Sequence, residues 1–331
     1  MDVTKLIACA LAMAVSMCSA QTPPQTPPQP APPPDEPEMT QVRKCVTFIQ
    51  LRCKDGDNEF DVRGTGFFVG YPDSRLGNER GFIYLVTNRH VAQCWNDSGR
   101  PMQVEHISVR MNRRQAEGDS VAVDLPLSQS GNVPWVLPQD VSVDLAAIPL
   151  ALSVAIFDFK FVPISIFAGE DLLRKEKITE GEPVFFAGFF YQFPGVRRME
   201  PIVRQGIVAM MPQDKVPFVG TAMKVYLADL HVFGGNSGSP AFIDLGGFHG
   251  GRISPGGEYR LLGVVNGEVS EDENFNLELT TTLKGTGKGN SGVSTIVPSD
   301  ELRSLLDDPR LQELRDIVVK AQAGPIATTP K

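Results

Sequence analysis

From Val46 to Gly267 the chain repeats one pattern: a short apolar run rich in β-branched and aromatic residues, then a few polar or turn-forming ones. The runs are VTFIQL, GFFVG, FIYLVT, ISVRM, VAVDLPL, AAIPLAL, VFFAGFF, IVRQGIVAMM, VYLADLHV, PAFIDL and LLGVVNG. Their lengths suit strands, and the breaks between them, such as Lys54 to Asp57 and Arg100 to Met102, carry turn chemistry. That spacing predicts an all-β domain or a pair of barrels. The Gly/Thr-rich stretch KGTGKGNSGVS, ending at Ser294, is expected to be a flexible loop.

The pattern changes after Val297. Ser299 is placed to cap a helix through Asp300, Glu301, Leu302, Leu305 and Leu306, and a second amphipathic stretch follows Pro309 with Leu311, Leu314, Ile317 and Val318. Residues 298–331 are therefore expected to be a helical tail packed on the strands. The other end differs again. Residues 1–20 combine Lys5, an apolar run from Leu6 to Met17 and small residues ending at Ala20, which is the pattern of an export signal. The alternative is lipid attachment at Cys18, the one route by which this reading brings the chain to a membrane. Residues 21–42 are Pro-rich and polar, which suits an extended linker.

An apolar fraction of 42% is ample for a packed core. The net charge of −8, with no basic cluster beyond Arg113–Arg114 and Arg197–Arg198, argues against a nucleic-acid partner. Export removes the first cysteines and leaves Cys45, Cys53 and Cys94, so at most one internal disulfide forms. Cys45 and Cys53 bracket a β-rich run that, if extended, holds their α-carbons about 26 Å apart at roughly 3.3 Å per residue. A bridge tolerates less than about 7 Å, so it would join Cys94 to one of the other two; three reduced thiols are the alternative.

Three strings carry candidate chemistry: LVTNRHVAQC around His90, VSVDLAAIPL around Asp144 and FGGNSGSPAF around Ser237. A serine hydroxyl is a weak nucleophile at neutral pH. It needs a neutral imidazole to take its proton and a carboxylate to hold that imidazole in the right tautomer. Gly234 and Gly235 before Ser237, and Gly238 after it, let backbone N–H groups turn toward a developing oxyanion. Asp229 in YLADLH is the competing acid. The second GNSG, at residues 289–292, lacks the following proline, and neither GTGKG nor DGDNEFD has the spacing of a phosphate or calcium loop. No spacing of His, Cys or acidic residues suggests a metal site.

On these motifs, residues 43–297 resemble the trypsin/chymotrypsin superfamily of serine peptidases, which shares the order His, Asp, Ser. GGNSGSP is similar to the bacterial glutamyl-endopeptidase branch, and TNRHV and the VDLA string resemble stress-protease relatives. The resemblance implies two antiparallel six-stranded β-barrels, about 43–170 and 171–297, the first carrying His90 and Asp144 and the second Ser237. It implies Ser237 as nucleophile, His90 as general base and acid, Asp144 as its orienting group, and the N–H groups of Gly235 and Ser237 as oxyanion hole. Asn236 stands where the digestive enzymes have an aspartate, and Ser239 replaces a second glycine. By the same resemblance His231 forms the floor of the substrate pocket, with Val232 beside it and Val265 in the wall, an environment expected to favour small or medium apolar residues before the cut. The implied activity is that of an exported serine endopeptidase acting on polypeptides without a cofactor. A catalytically silent or chaperone-like peptide binder and a serine esterase are the alternatives.

Overall fold

Residues 36–322 are described by a computed structural model of the chain, apart from 78–79, 97, 99, 101, 116–118, 128–133, 219–220, 250–251, 255–256 and 279–281. The export signal, Cys18 and most of the Pro-rich segment lie outside the described residues. The end of that segment is not extended. Helix α1 (Glu38–Lys44) starts after Pro37 and buries Val42.

The first half is an antiparallel sheet in which every apolar run becomes a strand. Its strands are β1 (Val46–Asp55), β2 (Asn58–Pro72), β3 (Gly81–Thr87), β4 (Gln103–Asn112), β5 (Ser120–Asp124) and β6 (Ala146–Leu150), in the order β5-β4-β1-β2-β3-β6. A short β7 (Val162–Pro163) adds to β2 in parallel. Between β3 and β4 lies the single turn of α2 (Arg89–Ala92). The expected first barrel is not closed: edge strands β5 and β6 do not pair. The chain between them carries Pro126, Pro134 and Pro138, which have no N–H to donate to a ladder, and among the described residues its one bridge to β6 is Val136↔Ala147.

The second half closes. After α3 (Glu170–Lys175) come β8 (Pro183–Gly188), β9 (Ile202–Met210), the small ladder β10 (Val216–Phe218) and β11 (Thr221–Met223), β12 (Tyr226–Asp229), β13 (Pro240–Asp244), the hairpin β14 (Gly247–His249) and β15 (Arg252–Ser254), β16 (Tyr259–Glu278) and β17 (Thr282–Pro298). Strands β12-β17-β16-β13-β8-β9 form a closed barrel. The stretch expected to be a Gly/Thr loop is instead strand β17. It pairs with β16 from Gly263↔Pro298 out to Glu278↔Thr282, so the preceding arm of the hairpin supplies the hydrogen bonds that its own composition does not promise.

The tail is helical as α4 (Ser299–Leu306) and α5 (Pro309–Gln322). Leu302, Leu305, Leu306, Leu311 and Val318 are buried in one cluster with Phe67, Val69 and Tyr84 of the first sheet and Phe185 and Phe242 of the barrel. Each such side chain contributes about 1.5–3 kcal/mol, so the tail is part of what joins the halves. Ser299 does not cap: Pro298 holds the cap position, and the buried Ser299 hydroxyl has no partner among the described residues. Arg315 fastens the tail, donating to Tyr84 Oη (2.8 Å) and Leu306 O (2.9 Å) beneath the Tyr71 ring.

Cys53 and Cys94 form the disulfide, with α-carbons 6.3 Å apart. Closing a loop of 41 residues restricts the unfolded chain by about 4 kcal/mol. Cys45 is free and buried, and burial pushes its thiol up to about 12. Among the described residues no helix is long and apolar enough to cross a membrane.

Candidate active site

His90 owes its position to the end of β3. Asn88 breaks the strand, and α2 turns Val91 and Ala92 into the core while the His90 ring faces outward, with 47% of its side chain exposed. The buried Asn88 amide donates to Asp144 O (2.9 Å), tying the acid's loop to this turn. Asp144 then grips His90 twice: Oδ1 accepts the His90 backbone N–H (3.0 Å) and Oδ2 lies 2.5 Å from Nδ1. A carboxylate only accepts, so Nδ1 carries a proton and Nε2 is the nitrogen left for other partners.

The loop before Asp144 is built on Asp140, which accepts from the Ser142 N–H (2.9 Å) and hydroxyl (2.7 Å) and from Lys215 Nζ (2.8 Å). The Lys215 ammonium, reinforced by Ser142, holds the Asp140 carboxyl far below the usual range. Lys215 belongs to the second half, so this ion pair spans the two. Arg89, beside His90, donates to Pro138 O (2.6 Å), and burial lowers the pKa of its guanidinium.

The Ser237 loop is fixed by two residues. Asn236, fully buried, accepts the Phe233 N–H (2.8 Å) and donates to Phe189 O (2.9 Å) through its side chain. Thr65 of β2, also fully buried, donates its hydroxyl to Gly235 O (2.6 Å) and accepts the Phe189 N–H (2.9 Å). Its own N–H donates to Ser237 O (2.9 Å), and its carbonyl accepts from the Thr87 hydroxyl (2.7 Å), three residues before His90. Thr65 therefore links the serine loop directly to the histidine strand. A Cβ on Gly238 would stand 2.0 Å from Thr65 O and 2.4 Å from Thr87 Oγ1, so no larger residue fits between them. Gly235 has φ +96°, and among the described residues neither its N–H nor that of Ser237 has an acceptor. Donors left open on either side of Asn236 are what an oxyanion requires.

The Ser237 hydroxyl donates to Asn266 O (3.0 Å), and among the described residues it makes no hydrogen bond to His90. Asp229 ends β12, where its backbone pairs with Val293 and Ile207; the carboxylate on the His90 ring is that of Asp144. Of the expected pocket residues, His231 is exposed, whereas Val232 and Val265 belong to the buried core of the barrel.

Three features escaped the sequence reading. Thr65 sits in GTG, which reads as ordinary strand, and Asn88 reads as ordinary turn. The third is an aromatic face: Tyr191, Phe193 and Phe233 are exposed around Phe190, and Arg204 lies 4.8 Å over the Phe233 ring. A Cβ on Gly234 would touch the Tyr191 ring at 2.8 Å, so this face adjoins the serine loop.

No protein-family model and no curated protein matches the chain. The fold is strand-rich, and its closed six-stranded barrel is compatible with a chymotrypsin-like one.

Proposed function

We propose that the protein is an exported serine endopeptidase of the trypsin/chymotrypsin type. The observation that carries this reading is the double grip of Asp144 on His90, which fixes the ring with Nε2 free, set through Thr65 against a serine loop with two unpartnered N–H groups. In the proposed reaction the Ser237 hydroxyl turns from Asn266 O to His90 Nε2. The ring takes the proton as Oγ attacks the scissile carbonyl, and Asp144 stabilises the imidazolium. The carbonyl oxygen, now negative, is held by the N–H groups of Gly235 and Ser237. His90 returns the proton to the leaving amine, and water repeats the sequence on the acyl-enzyme.

The bond from Ser237 to Asn266 favours a second reading, a silent relative that holds extended peptides in the cleft without cutting them. Esterase activity is the third. Hydrolysis of an unfolded casein-type protein and of a small ester, by the wild type and Ser237→Ala, separates them. The proposal expects protein cleavage that Ser237→Ala abolishes. Binding without cleavage supports the silent reading, and cleavage of the ester alone supports the esterase.

A further inference from the structure

Residues directly opposite each other in an antiparallel ladder share a face of the sheet. Thr65 stands opposite Phe48, Phe48 opposite Arg110, and one row further along the strands Arg63 stands opposite Gln50. The face that carries Thr65 therefore continues away from the serine loop. Phe48, Gln50, Arg63 and Arg110 floor a cavity of about 310 Å³, and Tyr191 and Pro194 of the loop after β8 roof it. Pockets that take ligands begin at roughly this size, about 300 Å³.

The cavity adjoins the reacting serine on both floor and roof. Thr65 donates its N–H to Ser237 O (2.9 Å) and its hydroxyl to Gly235 O (2.6 Å), and Arg63 follows it at a distance of two extended residues, about 7 Å. In the roof, a Cβ on Gly234 would stand 2.8 Å from the Tyr191 ring, and one on Gly235 would stand 3.1 Å from Tyr191 N. The roof is fastened to the floor. Arg110 donates to Gly195 O (2.8 Å), to Val196 O (2.7 Å) and to Ser120 Oγ (2.7 Å), and the Phe48 ring meets Phe189 edge-on at 5.7 Å.

Two guanidinium groups line this cavity, and no carboxylate does. Arg110 is spent on two carbonyls and a hydroxyl, and among the described residues no acid pairs with it. Arg63 lies 3.3 Å from Asp61, but the same carboxylate also lies 3.7 Å from Arg52, so one negative charge is divided between two positive ones. Only the Nη2 of Arg63 makes a described hydrogen bond, which leaves the rest of its donor fork open. Uncompensated positive charge beside aromatic walls attracts a carboxylate. The direction follows from His90, which must return the proton to the leaving amine. His90 hangs from β3 of the same sheet, whose Thr87 is bonded to Thr65 O (2.7 Å), so the departing half of a substrate lies toward this floor while the acyl half stays on the serine.

We propose that this cavity selects the departing half of the substrate, and that the substrates are polypeptides with a carboxylate on one of the first few residues after the cleaved bond, read by Arg63. The proposal rests on Ser237 being the nucleophile, and it concerns the residues after the cut rather than those before it.

The test uses the full chain and peptides identical except for Glu, Gln or Lys at the first, second or third residue after the scissile bond, each made with a free and with an amidated C-terminus. At one of these places kcat/KM should be about three- to fivefold higher for Glu than for Gln, and higher still over Lys. Arg63→Gln should bring the Glu-to-Gln ratio near one, Arg63→Lys should keep part of it, and raised salt should weaken it in the wild type. A preference in the amidated peptides assigns the carboxylate to an acidic side chain, and an Arg63-dependent gain on freeing the C-terminus assigns it to the chain end. Equal rates for Glu and Gln with no gain from a free end overturn the inference, as does a preference that Arg63→Gln leaves unchanged, while fluorophosphonate labelling of Ser237 still holds the proposed nucleophile. Absence of that labelling overturns both together.

Discussion

The Thr65 hydroxyl donates to the Gly235 carbonyl at 2.6 Å, and both residues are buried at the seam between the open sheet and the closed barrel. This bond holds the peptide that follows Gly235, whose N–H belongs to Asn236 and donates to Phe233 O (2.9 Å), between the Gly235 and Ser237 N–H groups. It belongs to a set in which Thr65 also holds Phe189, Ser237 and Thr87.

Thr65→Val keeps the shape of the side chain and removes the hydroxyl, leaving Gly235 O and the Phe189 N–H unpaired. Each costs about 1–3 kcal/mol, so thermal unfolding should move down by several degrees. Turnover should fall further than stability does, because the oxyanion donors lose their support, and Thr65→Ser should restore both. Wild-type turnover in Thr65→Val would remove Thr65 from the account.

Asp144→Asn should keep the ring in place but leave the wrong nitrogen protonated, at a cost of about 10⁴-fold in kcat. Asp229→Asn, whose backbone pairs with Val293 and Ile207 in the barrel, should change kcat little. Measuring both variants on one peptide decides between the acids, and the reverse order of losses would contradict the structure's pairing.

How much of this was legible in the chain varies with the range of the forces involved. The strands followed from local apolar runs, and His90, Asp144 and Ser237 from short motifs whose chemistry is local. Closure was not legible, because whether β5 meets β6 depends on the proline-bearing segment between them rather than on either strand. Strand β17 was hidden for the same reason: Lys284 to Ser294 reads as loop until β16 is laid beside it. The tail's buried leucines were visible from their spacing, but the Ser299 cap failed because the helix already begins at Ser299. Thr65 acts only through partners distant in sequence, so nothing around it marks it out.

Asn236 spends its side chain on Phe233 and Phe189 and has no charge to offer a new α-ammonium. Protein beginning at Gln21 should therefore turn over peptides without further trimming. Protein that is inert until proteolysed, then active with a buried new N-terminus, would contradict this.

Burial pushes the Cys45 thiol up to about 12, so at pH 8 only about one molecule in ten thousand carries the reactive thiolate. In protein beginning at Gln21, an alkylating reagent should leave the native fold unmodified and take up one equivalent once the chain is unfolded without reductant. Prompt stoichiometric alkylation of the native protein would contradict the buried position of Cys45.

The central claim is that Ser237 is a nucleophile activated by His90, and fluorophosphonate labelling followed by mapping of the modified residue tests it most directly. The account predicts modification at Ser237 that nearly vanishes in His90→Ala. Labelling at another residue, or labelling of Ser237 that His90→Ala leaves unchanged, would contradict it.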